Sequence, residues 1–171
     1  MSGPVYRALK GSYLAAAIQG GTQAIPGDKR KHIEESVRPE FLDSLDLDAA
    51  TRERHPNDAR WDYLLGHAPS SQVVALETHS AETSQVSRVI QKRAASRAHL
   101  QNQLTTGHNV AAWYWVASGR VDFVPHEKTI IRLSENGIQF VGGRLEAKHL
   151  AGPAKQTGHP HERRGKRDKP R

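Results

Sequence analysis

Apolar residues occur along the chain in short blocks whose period changes several times. Residues 1–27 read as an irregular arm with one short helical piece, Tyr6 to Gln19. That piece ends at Gly20-Gly21 and is followed by the turn signal Ile25-Pro26-Gly27-Asp28. From Lys29 to Leu45, the residues Ile33, Val37, Phe41 and Leu45 recur at helical spacing. They predict a second helix, which Pro39 interrupts near Arg38. A polar connector, DLDAATRERHPND, follows. The segments ARWDYLLGH (59–67) and QVVALETHS (72–80) are β-prone and separated by Ala68-Pro69-Ser70-Ser71, which predicts a hairpin. Residues 80–104 form the strongest helical pattern. Val86, Val89, Ile90, Ala94 and Leu104 lie on one side, Ser80 or Thr83 is placed to cap its start, and Gly107 stands beyond its end. NVAAWYWVASG then reads as a strand with Trp113 and Trp115 on one face and Tyr114 on the other, the usual arrangement of strand core. VDFVP, a helical turn over 128–135 and GIQFVG complete the ordered pieces. The resulting expectation is an α/β fold with a small mixed central sheet flanked by helices.

Composition changes this picture mainly at the C-terminal end. The chain has 171 residues, 36% of them hydrophobic, and a mean hydropathy of −0.69. That is enough for one domain with a core, with some sequence outside it. Gly152 to Arg171 holds seven Lys or Arg against two acids, so this segment carries most of the net charge of +7. Rich in Gly and Pro and lacking an apolar face, it is expected to be a disordered basic tail. Such a tail can follow a nucleic-acid backbone without reading sequence, or act only as a solubilising end. The expected organisation is an arm over 1–27, an α/β domain over 28–150 and the tail over 151–171. The absence of cysteine excludes disulfides and cysteine-ligated metals. The longest apolar runs, such as YLAAAI, fall well short of a membrane span. The first residues lack the pattern of a secretion signal. A cytoplasmic protein with no membrane partner is therefore expected.

The chemistry concentrates in the hairpin. Asp62 is an acid within a segment that otherwise reads as buried strand, where desolvating a carboxylate is costly without a compensating partner. Glu77 ends the neighbouring strand, and a hairpin can hold both carboxylates on one face about one strand spacing apart. Two acids so close repel unless a cation lies between them, and oxygen ligands of this kind suit Mg²⁺ or Mn²⁺. His79, two residues after Glu77, shares its face. The plainer alternatives are that Asp62 pairs with Arg60 or Arg93 and that His79 caps the helix that follows. The ten histidines show no H-E-x-x-H spacing.

A strand bearing Asp62 in WD, a second strand ending in Glu77-Thr78-His79, a helix and a further strand together resemble the PD-(D/E)XK nuclease superfamily. Restriction endonucleases and Holliday-junction resolvases belong to that superfamily. The resemblance covers roughly residues 29–118 and implies a restriction-endonuclease-like fold. It also implies a metal-dependent nuclease acting on nucleic acid, with DNA as the expected substrate. Asp62, Glu77 and the carbonyl of Thr78 would hold the metal, together with Glu34 or Glu35 as the acid on the first helix. The superfamily's lysine position is filled here by His79. Lys92, on the flank of the following helix, is the candidate for a migrated lysine. Gln85, Arg93 and Arg97 are the expected nucleic-acid contacts. Nucleases of this type often dimerise, so a homodimer is a further expectation. The alternative is a nuclease-like domain that binds nucleic acid or protein without cutting.

Overall fold

The computed structural model of the chain describes residues 2–124 and 127–155. Its framework is a six-stranded mixed sheet in sequential order. The strands are β1 (Gln19–Gly20), β2 (Phe41–Asp46), β3 (Tyr63–His67), β4 (Gln72–Ala81), β5 (Val110–Val121) and β6 (Ile138–Phe140). β1 to β4 form an antiparallel meander, whereas β5 pairs parallel to β4 and β6 parallel to β5. A parallel neighbour requires a long crossover. Helix α3 (Val86–Gln101) supplies the first and α4 (Lys128–Glu135) the second.

Each face of the sheet carries its own apolar cluster. Helix α1 (Pro4–Leu9), α2 (Leu47–Arg52), α3 and α4 lie on one face over Val73, Ala75, Trp113 and Trp115. Trp61 meets Trp113 edge to face at 5.3 Å, and Trp115 meets Phe140 at 5.6 Å. Each such pair adds about 0.5–1.5 kcal/mol beyond the area it buries. On the other face, Tyr63, Leu65, Val74, Leu76, Tyr114 and Val116 are covered by Ile25, Ile33, Val37 and Leu145. These come from short turns, so among the described residues α-helices flank only one side of the sheet. The mixed α/β architecture is as the sequence predicts, and both tryptophans of β5 belong to the core.

Two expectations are corrected. Residues 29–45 do not form a helix. Two 3₁₀ turns, Arg30–His32 and Arg38–Glu40, lead into β2. Ile33 and Val37 still bury side by side, but Pro39 cannot donate the hydrogen bond an α-helix needs there, and the chain extends from Phe41. Helical spacing of apolar residues is equally compatible with two turns and a strand. Nor does one helical piece run from Tyr6 to Gln19: α1 ends at Leu9 and a 3₁₀ turn follows at Tyr13–Ala17. Val5, Ala8 and Leu9 of α1 are fully buried in the core. The tail expected over 151–171 lies outside the described residues from 156 onward. Residues 151–155 are exposed, and the Ala154 N–H donates to the Pro69 carbonyl at 2.9 Å.

Helix α1 is fixed to the sheet by one buried carboxylate. Asp43 on β2 accepts hydrogen bonds from the N–H groups of Val5 at 3.1 Å and Tyr6 at 2.8 Å. These amides have no partner within their own helix, and an acid suits that helix end. Gly66 on β3 leaves the space: a Cβ there would overlap the Asp43 carboxylate and lie 2.8 Å from Pro4 Cδ. Asp43→Ala is expected to lower stability by about 2–4 kcal/mol, because the buried Val5 N–H and the half-buried Tyr6 N–H lose their acceptor. Gly66→Ala is expected to be destabilising in the same assay. Urea unfolding followed by circular dichroism measures both, and wild-type midpoints would show that Asp43 does not hold α1.

Candidate functional site

β3 and β4 pair with Tyr63 opposite Leu76, so the next position in register brings Asp62 opposite Glu77. Asp62 stands just before β3, where its carbonyl accepts from the Leu47 N–H at 2.9 Å. Its own N–H donates to Glu77 Oε2 at 3.1 Å. Asp62 Oδ2 accepts from both the N–H and the hydroxyl of Thr78, each at 3.0 Å. Glu77 lies on the same face of β4 as Val73 and Ala75, beneath α3, and is fully buried.

Lys92 reaches this pair from α3. Its ammonium contacts Glu77 Oε1 and lies 3.4 Å from Asp62 Oδ1. One cation therefore touches both carboxylates, which places them close enough to share a ligand. With all three groups ionised the trio carries one excess negative charge. Burial and the neighbouring Asp62 carboxylate push Glu77 up to about 8, against the opposing effect of Lys92. The site can relieve the imbalance by taking up a proton or a cation.

The other expected site residues are distributed elsewhere. Glu34 accepts from the Ala147 N–H at 3.2 Å on the opposite side of the sheet, beside the Ile33–Leu145 bridge. Glu35 is exposed in the same turn. Neither joins Asp62 and Glu77, because the helix meant to carry them does not form. His79 is half-buried, with Nδ1 3.1 Å from the Ser80 carbonyl, and has no hydrogen bond to either carboxylate among the described residues. Its own carbonyl accepts from Trp115 Nε1 at 3.1 Å, so His79 is part of the strand and not a helix cap. Gln85 is the half-buried residue before α3. Arg93 lies over Trp113, 5.5 Å from the ring centre, and Arg97 is exposed one turn further along α3. Arg60, an alternative partner for Asp62, instead pairs with Asp48 at 2.6 Å.

Asp46 is an acid near this site that the sequence pattern did not single out. It ends β2 opposite Tyr63, accepts from the Ala49 N–H at 2.8 Å, and caps α2. Burial holds it above the ordinary carboxylate value, with the charges of Asp48 and Asp62 acting in the same direction. Reading residues 29–45 as a helix hid it, since only β2 brings Asp46 beside the start of β3. No family model, curated protein or solved structure matches the chain.

The elevated Glu77 value fixes a sign for pH dependence. The folded protein holds a proton on Glu77 that the unfolded chain releases near 4.5. Its contribution to stability is fully present below that value and is lost as pH rises through about 8. Urea unfolding in metal-free buffer should therefore show wild type losing stability between pH 5 and pH 9 relative to Glu77→Gln. The expected difference is on the order of a few kcal/mol. Parallel pH profiles for the two proteins would contradict this assignment.

Proposed function

We propose that the chain is a metal-dependent nuclease of the PD-(D/E)XK type, with Asp62 and Glu77 as acids and Lys92 in the lysine role. The observation that carries this reading is the single Lys92 ammonium seated against both carboxylates. The order of elements around the pair adds support, with an antiparallel β2-β3-β4 meander, helix α3 and parallel β5. This is the order expected for a restriction-endonuclease-like core.

The donor set fits a small hard cation. Mg²⁺ commonly binds one or two carboxylates and keeps several waters, so Asp62 and Glu77 suffice without the third acid expected from Glu34 or Glu35. Among the described residues no group of three or more His, Asp or Glu side chains is arranged to hold a metal ion, so the proposed ion would rest on two carboxylates and water. Asp62 and Glu77 would hold the ion, with the Thr78 carbonyl as the remaining backbone candidate. Bound there, Mg²⁺ or Mn²⁺ would acidify a water and offset charge developing on a phosphodiester.

The protein's own groups then have distinct tasks. The Thr78 N–H and hydroxyl fix the orientation of Asp62. The core around Glu77 keeps its carboxylate out of bulk solvent, next to Lys92. Displaced from Glu77, the Lys92 ammonium would hold the attacking water or a phosphate oxygen, a use suited to a point charge on a flexible stem. His79 has no assigned step.

With Mg²⁺ or Mn²⁺, purified protein is expected to cut DNA, and EDTA to stop it. Asp62→Asn, Glu77→Gln and Lys92→Met should each lower the rate at least ~100-fold, whereas His79→Ala should lower it less than about tenfold. Salt-sensitive DNA binding without cleavage in either metal would instead support the non-cutting, nuclease-like binding module. Cleavage lost with His79→Ala but kept with Lys92→Met would reverse the assignment of the lysine role.

A further inference from the structure

Helix α3 presents a different charge on each flank. Lys92 faces the acids of β3 and β4, while Arg93 and Arg97 face a cleft of about 580 Å³ toward β5 and β6. The C-terminal half of α3, the loop after it, the start of β5 and Gly137 form its walls. Gln101, Thr105 and Asn109 add neutral donors. Among the described residues lining it there is no Asp or Glu.

Two arginines side by side without an acid repel each other. Neither forms an ion pair among the described residues. Arg93 Nε is buried with no hydrogen-bond partner there. Burial and the Arg97 charge together hold Arg93 below the ordinary arginine value. Its position is nevertheless well defined, with the guanidinium between the Trp113 ring and the turn before β6. Gly137 makes this possible: its φ is +71°, and a Cβ there would lie 2.5 Å from Arg93 Nη2. An arginine fixed in place without a carboxylate partner is suited to receive an anion, here through its terminal nitrogens because Nε is buried.

We propose that this cleft is a second, non-catalytic site that binds a phosphate ester through Arg93 and Arg97. The donor-bearing residues that line the cleft come from a helix, a loop and a strand start, a spread that suits a tetrahedral anion with several acceptor oxygens better than a planar carboxylate. Arg93 already covers the face of Trp113, so a nucleobase cannot stack on that face. Recognition is therefore directed at phosphate and not at base identity. The volume exceeds that of one phosphate and accommodates a nucleotide or a segment of a strand's backbone. The cleft lies on the other flank of α3 from Asp62 and Glu77, so binding there requires no cleavage.

Binding can be measured in EDTA with two probes, inorganic phosphate and a fluorescein-labelled single-stranded DNA oligonucleotide. Phosphate is read from thermal unfolding against chloride at equal ionic strength, and the oligonucleotide from fluorescence anisotropy. Arg97 is exposed, so Arg97→Gln should keep the wild-type circular dichroism spectrum. It is expected to weaken both ligands about tenfold, the loss of roughly one charge-assisted contact. Asp62→Asn should leave the stabilisation by phosphate in EDTA unchanged, which separates this site from the acid pair. Displacement of the oligonucleotide by phosphate would identify the ligand as a nucleic-acid backbone. Phosphate binding that depends on Arg97, with no oligonucleotide binding, would identify a small phosphate ester. No stabilisation by phosphate, or equal affinities for wild type and Arg97→Gln, would overturn the proposal.

Discussion

The parallel pairing of β4 with β5 is the constraint on which the rest of the molecule depends. Val73 to Thr78 face Val110 to Val116 along this ladder, and every residue from Val73 to Thr78 is buried. Parallel strands need cover on both faces and a crossover long enough to return the chain to the same end. Helix α3 meets both needs on one side, while the turns bearing Ile25, Ile33 and Val37 cover the other. Glu77 occupies one of the positions that α3 must cover. Its burial follows from the topology, and the cost of that burial creates the site's demand for a positive charge.

That demand is met from the covering helix. A side chain on α3 directed at the sheet meets β4, and Lys92 is long enough to carry an ammonium to Glu77 and Asp62 while its stem stays in the apolar layer. The next residue, Arg93, is rotated about 100° around the helix axis and faces β5 and β6. A single turn of α3 thus serves the acid pair on one flank and the acid-free cleft on the other. The hydroxyl of Ser96 on the same helix accepts from the Trp61 N–H at 2.8 Å, which ties α3 to the residue before Asp62. The acids and their cation are held by elements whose spacing is set by packing.

The sequence made the hairpin, α3 and β5 legible because each has a strong local pattern. Short continuous apolar runs, rich in β-branched and aromatic residues and bounded by turn residues, mark QVVALETHS and NVAAWYWVASG as strands, and a long run at helical spacing without Pro marks α3. The register that brings Asp62 opposite Glu77 follows from the short turn joining the strands, so the acid pair could be read in advance. β1 and β2 could not. Gln19–Gly20 has no pattern of its own, and Phe41–Asp46 buries the polar Asp43 and Ser44 while exposing Leu42, which scrambles the polar and apolar order that identifies a strand. Asp43 illustrates the same limit. A fully buried acid in the middle of a strand is understandable only once α1, nearly forty residues earlier, is seen to supply two N–H groups.

The difference between His79 and Lys92 has a geometric origin. His79 shares the face of Glu77 but lies two residues further along β4, where an imidazole on a single methylene cannot turn back to the carboxylates. Its ring is engaged instead with the Ser80 carbonyl. A cation that must lie against both Asp62 and Glu77 has to approach from above the sheet, across the gap between strand and helix. A lysine stem crosses that gap, and α3 is the element above Glu77. Linear spacing places the basic group two residues from the acid, whereas the folded chain places it fifteen residues away on the crossover helix. The physical requirement is an ammonium at the meeting point of two carboxylates, and any element that passes within a side chain's length of that point can provide it.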